Sequence, residues 1–115
     1  MPVYCSRTVA SIALSAGKLG YSLHGHDVWI KVCIKTRSVV DISWFSGLVR
    51  DTVSRYDHTV LDEILGDGAL IEDLLFSILD NIRESLSKDK IELLDAWCEA
   101  SIPDGDIIVS IGELA

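Results

Sequence analysis

The stretch HDVWIKVCIKT, residues 26–36, alternates strictly between two kinds of side chain. Because side chains i and i+2 of a β-strand point to the same side of the sheet, this run predicts one apolar face and one mixed face. The apolar set is Val28, Ile30, Val32 and Ile34. The mixed set is Trp29, Lys31, Cys33 and Lys35. This pattern is typical of a half-buried antiparallel strand.

After this strand the spacing of the apolar residues becomes helical. The first helical set is Ile42, Phe45, Val49, Val53 and Tyr56. Either Asp41 or Ser43 is suited to cap its start. The second set is Ile71, Leu74, Leu75, Ile78, Ile82 and Leu86. Glu72 and Asp73 lie near the start of this second helix, where negative charge is favourable.

The remaining segments complete an α+β pattern. Residues 3–14, 91–100 and 107–111 have extended character, whereas residues 15–20, 66–68 and 103–106 carry the glycine and proline of loops and turns. The order strand, strand, helix, helix, strand, strand predicts one domain over residues 1–115. We expect a four-stranded antiparallel sheet with two helices on one face.

Composition and net charge limit the kinds of partner that we expect for this chain. The chain has 115 residues and a net charge of −8, which argues against nucleic acid or an anionic membrane as partner. No apolar run reaches the length of a membrane-spanning helix, and the first residues lack the pattern of a signal peptide. Cys5, Cys33 and Cys98 are odd in number and far apart, so we expect reduced thiols in a cytoplasmic protein. We expect Cys33 and Cys98 to be small apolar strand residues rather than nucleophiles.

His24 and His26 stand at the start of the alternating strand and share one face. Neutral imidazoles held in this way are natural zinc ligands. The alternative is a pair of ordinary polar residues at a strand start. A structural zinc needs four protein ligands and a catalytic zinc needs three plus water, so further donors are required.

This element order, with His-Gly-His at the second strand, resembles the 6-pyruvoyl tetrahydropterin synthase and 6-carboxytetrahydropterin synthase family. The stretches that carry the resemblance follow the order of the family's motifs. They are Leu23-His24-Gly25-His26-Asp27, Val39-Val40-Asp41-Ile42, Tyr56-Asp57-His58-Thr59-Val60-Leu61-Asp62, Ala69-Leu70-Ile71-Glu72 and Trp97-Cys98-Glu99-Ala100.

Two groups of the family pattern are missing. The family takes a third zinc histidine from its first strand, where this chain has Ala10-Ser11-Ile12, so that Ile12 or a neighbour replaces the ligand. Its catalytic cysteine precedes the His-Gly-His, where residues 18–22 read KLGYS, without cysteine or glutamate. Tyr21 and Ser22 are poor substitutes for a thiolate. Asp27, Cys5 or a residue of a neighbouring subunit could complete a zinc site, but Asp27 alternates to the opposite face.

The resemblance implies a zinc-dependent carbon–oxygen lyase acting on dihydroneopterin triphosphate or a related pterin, in tetrahydrobiopterin or queuosine biosynthesis. It implies His24 and His26 as metal ligands, Asp57 and His58 as an acid–base pair, and Glu99 as the pterin anchor. Glu72 is first a helix-start charge and second a site residue. The alternatives are a non-catalytic pterin- or purine-binding relative and a purely structural ring-forming subunit.

The resemblance also implies an assembly. The family has the tunnelling fold, in which the sheets of neighbouring subunits join edge to edge. Three subunits then form a barrel, and two such trimers often pair into a hexamer. The edges that a lone sheet would expose are then buried. Sites would lie between subunits, and a partner subunit could supply a missing group.

Overall fold

The structure, a computed structural model, describes residues 1–15, 24–103 and 107–112. Its elements in chain order are β1 (Val3–Leu14), β2 (His24–Thr36), α1 (Ile42–Ser54), β3 (Thr59–Val60), α2 (Leu61–Leu65), α3 (Ile71–Lys88), β4 (Leu93–Ile102) and β5 (Ile107–Gly112). Most of the predicted loop at residues 15–20 and of the predicted turn at residues 103–106 lies outside the described residues.

The strands form one sheet in the order β3-β1-β2-β4-β5. The four predicted strands are confirmed, and each pairs antiparallel with its neighbour. The sheet is mixed rather than purely antiparallel, because β3 pairs parallel with β1 at Ile12 and Ala13. The elements β3 and α2 were not predicted, because segments of two and five residues are too short to show a periodicity.

The core lies between the sheet and the helices α1 and α3. The apolar set of β2 is completely buried, and Cys98 and Ala100 of β4 are buried beside it. Helix residues such as Phe45, Val49 and Leu74 cover this face. Burying a side chain of this size stabilises the fold by about 1.5–3 kcal/mol. The two predicted amphipathic helices are therefore confirmed as the second layer.

The start of α1 settles which residue caps it. Asp41 Oδ1 accepts hydrogen bonds from the backbone N–H of Ser43 at 2.8 Å and of Trp44 at 3.2 Å. Asp41, not Ser43, is therefore the cap. At α3, the Asp73 carboxylate accepts from the backbone N–H of Leu70 at 2.8 Å, and Glu72 lies beside it in the first turn, as predicted.

The predicted state of the cysteines is wrong for two of the three. Cys5 and Cys33 form a disulfide, and their Cα atoms are 4.1 Å apart. They are separated by 28 residues in the chain, but the β1–β2 register places them directly opposite each other. The disulfide also removes Cys5 as a metal donor. Cys98 is free and buried, as expected for a small apolar strand residue.

The second face of the sheet carries no helix, and we call it the open face. Its residues include Cys5, Arg7, Val9, Trp29, Lys31, Lys35, Asp95, Trp97, Glu99 and Ser101. Charged side chains and aromatic rings thus lie on the side of these strands that faces away from the apolar core. Among the described helices, none is long and apolar enough to cross a membrane.

Candidate functional site

Asp57 and His58 lie in the turn between α1 and β3, against the end of β1. Asp57 Oδ1 accepts a hydrogen bond from the backbone N–H of Ser11 at 2.7 Å. The backbone N–H of His58 donates to the Ser11 carbonyl at 2.6 Å. His58 takes φ +57°, in the left-handed region that non-glycine residues seldom adopt. Ser11 therefore fixes the backbone of the turn and the carboxylate of Asp57 together.

The two side chains form the predicted pair. Asp57 Oδ2 lies 3.0 Å from His58 Nδ1. The hydrogen bond from the Ser11 N–H is the largest effect on the pKa of the Asp57 carboxyl and lowers it. Burial, the second-largest effect, raises this pKa, and the hydrogen bond and charge of His58 lower it further. The ionised carboxylate favours a proton on Nδ1 and leaves Nε2 as the nitrogen that can accept a proton. Because the His58 side chain is 81% exposed, that nitrogen can meet a ligand.

The histidine pair lies at the same end of the sheet. His24 begins β2 with its Cα opposite Leu14, and its side chain lies outside what the structure describes. His26 is half-buried, with its Cα opposite Ile12, and Ile12 in turn is opposite Thr59. His26 and the turn that carries Asp57 and His58 thus flank the same residue of β1 from its two sides.

A complete zinc site is not present within the described part of one chain. Ile12, in the segment where the resemblance places a third histidine, is 3% exposed and packs in the apolar core. Asp27 is exposed on the opposite face of β2, as predicted, and accepts from Ser11 Oγ at 2.6 Å. No group of three or more His, Cys, Asp or Glu side chains among the described residues is placed to hold a metal ion. These donors do not fit the family's zinc site by themselves.

Ser11 is the residue that the sequence analysis missed. Its N–H, carbonyl and hydroxyl contact Asp57, His58 and Asp27, respectively. A cavity of about 300 Å³ is lined here by Ser11, Ile12, Gly25, His26 and Asp27. Serine in a strand has no distinctive spacing, and only the tertiary fold reveals that its backbone organises the turn.

Glu99 lies elsewhere, on the open face. It belongs to a second cavity of about 300 Å³ with Arg7, Trp29, Lys31 and Ser101. In register, Glu99 is opposite Lys31, which follows His26 by five residues in β2. Five strand residues span about 16 Å, and the two groups point to opposite faces. One chain therefore places His26 and the turn of Asp57 and His58 on the two sides of Ile12, and it does not bring Glu99 to them.

Three other residues considered in the sequence, Glu72, Tyr21 and Ser22, have different outcomes. Glu72 lies in the first turn of α3 and lines neither of the two cavities described above. Its role as a helix-start charge is consistent with this position. Tyr21 and Ser22, which stand where the family has its thiol, lie outside the described residues.

Comparison with known proteins finds likeness in structure alone. No family model matches the sequence, and no curated protein matches it. The 6-pyruvoyl tetrahydropterin synthase of Plasmodium falciparum superposes with a TM-score of 0.76 at 14% identity, covering 99% of this chain and 98% of that one. The Plasmodium vivax synthase gives 0.74 at 13% identity, with full coverage of both chains.

A further solved structure is more distant. The archaeosine synthase QueF-like protein in its apo form gives a TM-score of 0.57 at 13% identity, covering 98% of this chain and 93% of that one. The P. vivax synthase has also been solved with a catalytic glutamate replaced by alanine or by cysteine. The likeness spans nearly the whole of each chain and confirms the fold predicted from the sequence. This chain has the fold of the 6-pyruvoyl tetrahydropterin synthases.

Proposed function

We propose that this chain is a divergent 6-pyruvoyl tetrahydropterin synthase or 6-carboxytetrahydropterin synthase-like protein that acts on dihydroneopterin triphosphate or a related pterin. The observation that carries the proposal is the Asp57–His58 pair. Both backbone groups of Ser11 hold this pair, which lies across β1 from His26 at the same end of the sheet. The fold and the motif order support the same assignment.

The proposed chemistry is a carbon–oxygen elimination. His58 Nε2 accepts a proton from the pterin side chain, and the triphosphate leaves from the adjoining carbon with the electrons of its C–O bond. Asp57 keeps the imidazole in the required tautomer and favours its charged form after proton transfer. A positioned base of this kind typically contributes about 10²–10⁴-fold to the rate.

Glu99 is proposed to anchor the pterin ring, because a carboxylate can accept two hydrogen bonds from adjacent ring N–H groups. Since Glu99 and His26 lie on opposite faces of one sheet, a complete site needs Glu99 of one subunit and His58 of another. The strand β5 and the part of β1 before Ile12 are at the edges of the described sheet. Edges of this kind are open to pairing between copies, which is the reason for proposing a trimer or hexamer.

A second candidate is a pterin- or purine-binding protein without catalysis. The apolar Ile12 opposite His26 and the absence of cysteine from residues 18–22 favour it. Residues 16–23 contain no His, Cys, Asp or Glu, so a zinc ion held by His24 and His26 would need a donor from beyond that segment, such as a second copy of the chain.

One set of measurements tests the proposal. The purified protein is incubated with dihydroneopterin triphosphate, and triphosphate release, pterin products, bound metal and pterin affinity are all measured. Elimination of triphosphate supports the enzyme. Saturable pterin binding without turnover supports the second candidate, and the absence of both binding and turnover rejects both.

A further inference from the structure

The cavity that contains Glu99 differs in charge from the rest of the chain. Its ionisable residues are two cations, Arg7 and Lys31, and one carboxylate, Glu99. The whole chain carries 18 acidic and 10 basic residues. Because this cavity has a local excess of positive charge in an otherwise acidic protein, it favours a ligand that carries negative charge.

The three charges lie in one row across the sheet. Arg7 is opposite Lys31, and Lys31 is opposite Glu99. Arg7 Cζ lies 5.1 Å from the centre of the Trp29 ring, a cation–π contact that holds the guanidinium over the cavity. Because neighbouring strands are about 4.8 Å apart, Arg7 and Glu99 are roughly 10 Å apart along the row. One small ligand can reach both.

The placement of Arg7 directly opposite Lys31 has a cost for the fold. Like charges directly opposite each other on neighbouring strands are destabilising. Among the described residues, neither of these cations takes part in an ion pair with a carboxylate. A bound anion between them would relieve the repulsion and satisfy donors that the fold itself leaves to solvent.

We infer that Arg7 and Lys31 bind an anionic group, a phosphate or carboxylate, of the ligand whose heterocyclic ring Glu99 holds. Arginine supplies a planar fork of N–H donors for such a group, and lysine supplies a compact charge. Ser101 places a hydroxyl at the same cavity. This inference rests on the proposed function for the ring and adds that the open-face cavity selects ligands with an anionic tail.

Calorimetry with three probes tests it: dihydroneopterin triphosphate, neopterin without phosphate, and inorganic tripolyphosphate. We expect the triphosphate ester to bind at least about tenfold more tightly than neopterin. Arg7→Gln and Lys31→Gln should each remove about tenfold or more of that affinity and leave neopterin binding unchanged. Lys31→Arg, which keeps the charge, should restore most of it.

Lys35→Gln is the matched control, because Lys35 lies on the same strand and face as Lys31 but outside the cavity. It should leave all three affinities unchanged. If both pterins bind equally, or if Arg7→Gln and Lys31→Gln behave like Lys35→Gln, this inference is overturned while the proposed function stands. Tripolyphosphate binding that depends on Arg7 and Lys31, without any pterin binding, would support the anion site and reject the proposed function.

Discussion

Asp57 and Asp62 are two carboxylates that accept hydrogen bonds from residues distant in the chain. Asp57 accepts from Ser11, whereas Asp62 accepts from the hydroxyl of Ser15 at 2.5 Å and from the N–H groups of Ser15 and Gly68 at 3.0 Å. The Ser15 hydroxyl and N–H and the Gly68 N–H, in that order, lower the pKa of Asp62, as Ser11 chiefly lowers that of Asp57. Both carboxylates thus connect the end of β1 to later segments of the chain.

The lowered pKa of these two carboxyl groups predicts how the stability of the fold depends on pH. A carboxyl group with a lower pKa in the folded state stabilises the fold above its unfolded pKa, near 3.8, and this contribution is lost as the pH falls through the folded pKa. We therefore expect the free energy of unfolding to drop below pH 4. Asp62→Asn should be less stable at pH 7 and should show a smaller drop.

Denaturant unfolding at pH 7 and pH 3 checks this expectation. Asp51→Asn is a suitable control, because Asp51 is an exposed residue of α1 whose carboxylate accepts no hydrogen bond within the described part of the chain. An Asp62→Asn variant with the full pH dependence of the unsubstituted protein would contradict the prediction.

The proposed role of His58 as a base leads to a second prediction at this scale. Asparagine tolerates the left-handed backbone of this position but cannot accept a proton from carbon. His58→Asn should therefore lower turnover of dihydroneopterin triphosphate about 10²–10⁴-fold and leave the melting temperature nearly unchanged. Steady-state kinetics and thermal unfolding of the same preparation measure both. Full activity in this variant would remove His58 from the mechanism.

Glu99 makes a third prediction. Glu99→Ala should abolish pterin binding, because the ring N–H groups lose their charged acceptor. Glu99→Gln keeps the shape of the side chain and should still weaken binding by roughly tenfold or more. Calorimetry measures both affinities, and an unchanged affinity in either variant would rule out the anchor role.

At the scale of elements, β1 and β2 form the longest strand pairing of the described sheet. Its register runs without interruption from Val3 opposite Lys35 to Leu14 opposite His24, and the Cys5–Cys33 disulfide crosses it. The strict alternation of residues 26–36 predicts this strand well because its period depends only on local geometry. The disulfide was missed, since the pairing of two distant cysteines depends on register, which no single strand reveals.

The disulfide should make a measurable contribution to the free energy of unfolding. Closing 28 residues of chain restricts the unfolded state and contributes about 3–4 kcal/mol in the chain-entropy model. A reductant should lower the free energy of unfolding by about this amount. Cys5→Ser should reproduce the loss with little other damage, because Cys5 is exposed.

Two further observations keep this prediction testable. Adding reductant to Cys5→Ser should change nothing more. Alkylation of the unfolded, unreduced protein should label one cysteine, Cys98, and alkylation after reduction should label three. Labelling of three cysteines without reduction would show that the disulfide does not form.

At the scale of the whole molecule, the sheet edges predict an assembly. The edge strand β5 exposes Ile107 at 49% and Ile108 at 65% of their surface. An exposed, apolar edge strand tends to pair with another chain. We therefore expect sedimentation to give three or six times the chain mass of 12.6 kDa.

Ile108→Lys should shift this mass toward the monomer, because a charged side chain disfavours pairing at a sheet edge. Phe76→Lys is the control, since Phe76 is 55% exposed on α3, away from the strands. A monomer in the unsubstituted protein would contradict the assembly, and with it the proposal that Glu99 and His58 of different subunits share a site.

What the sequence determined by itself was the local order of the chain: the two periods, the Asp41 and Ser43 candidates for the cap, and the order of strands and helices. These features follow from interactions within a few residues, so they can be predicted from the sequence alone. The tertiary structure decided which residues meet. It joined Cys5 to Cys33, brought Ser11 into hydrogen bonds with Asp57 and His58, and put Glu99 with Arg7 and Lys31 on the open face. Register and face decide these contacts, and both arise only when distant strands pair.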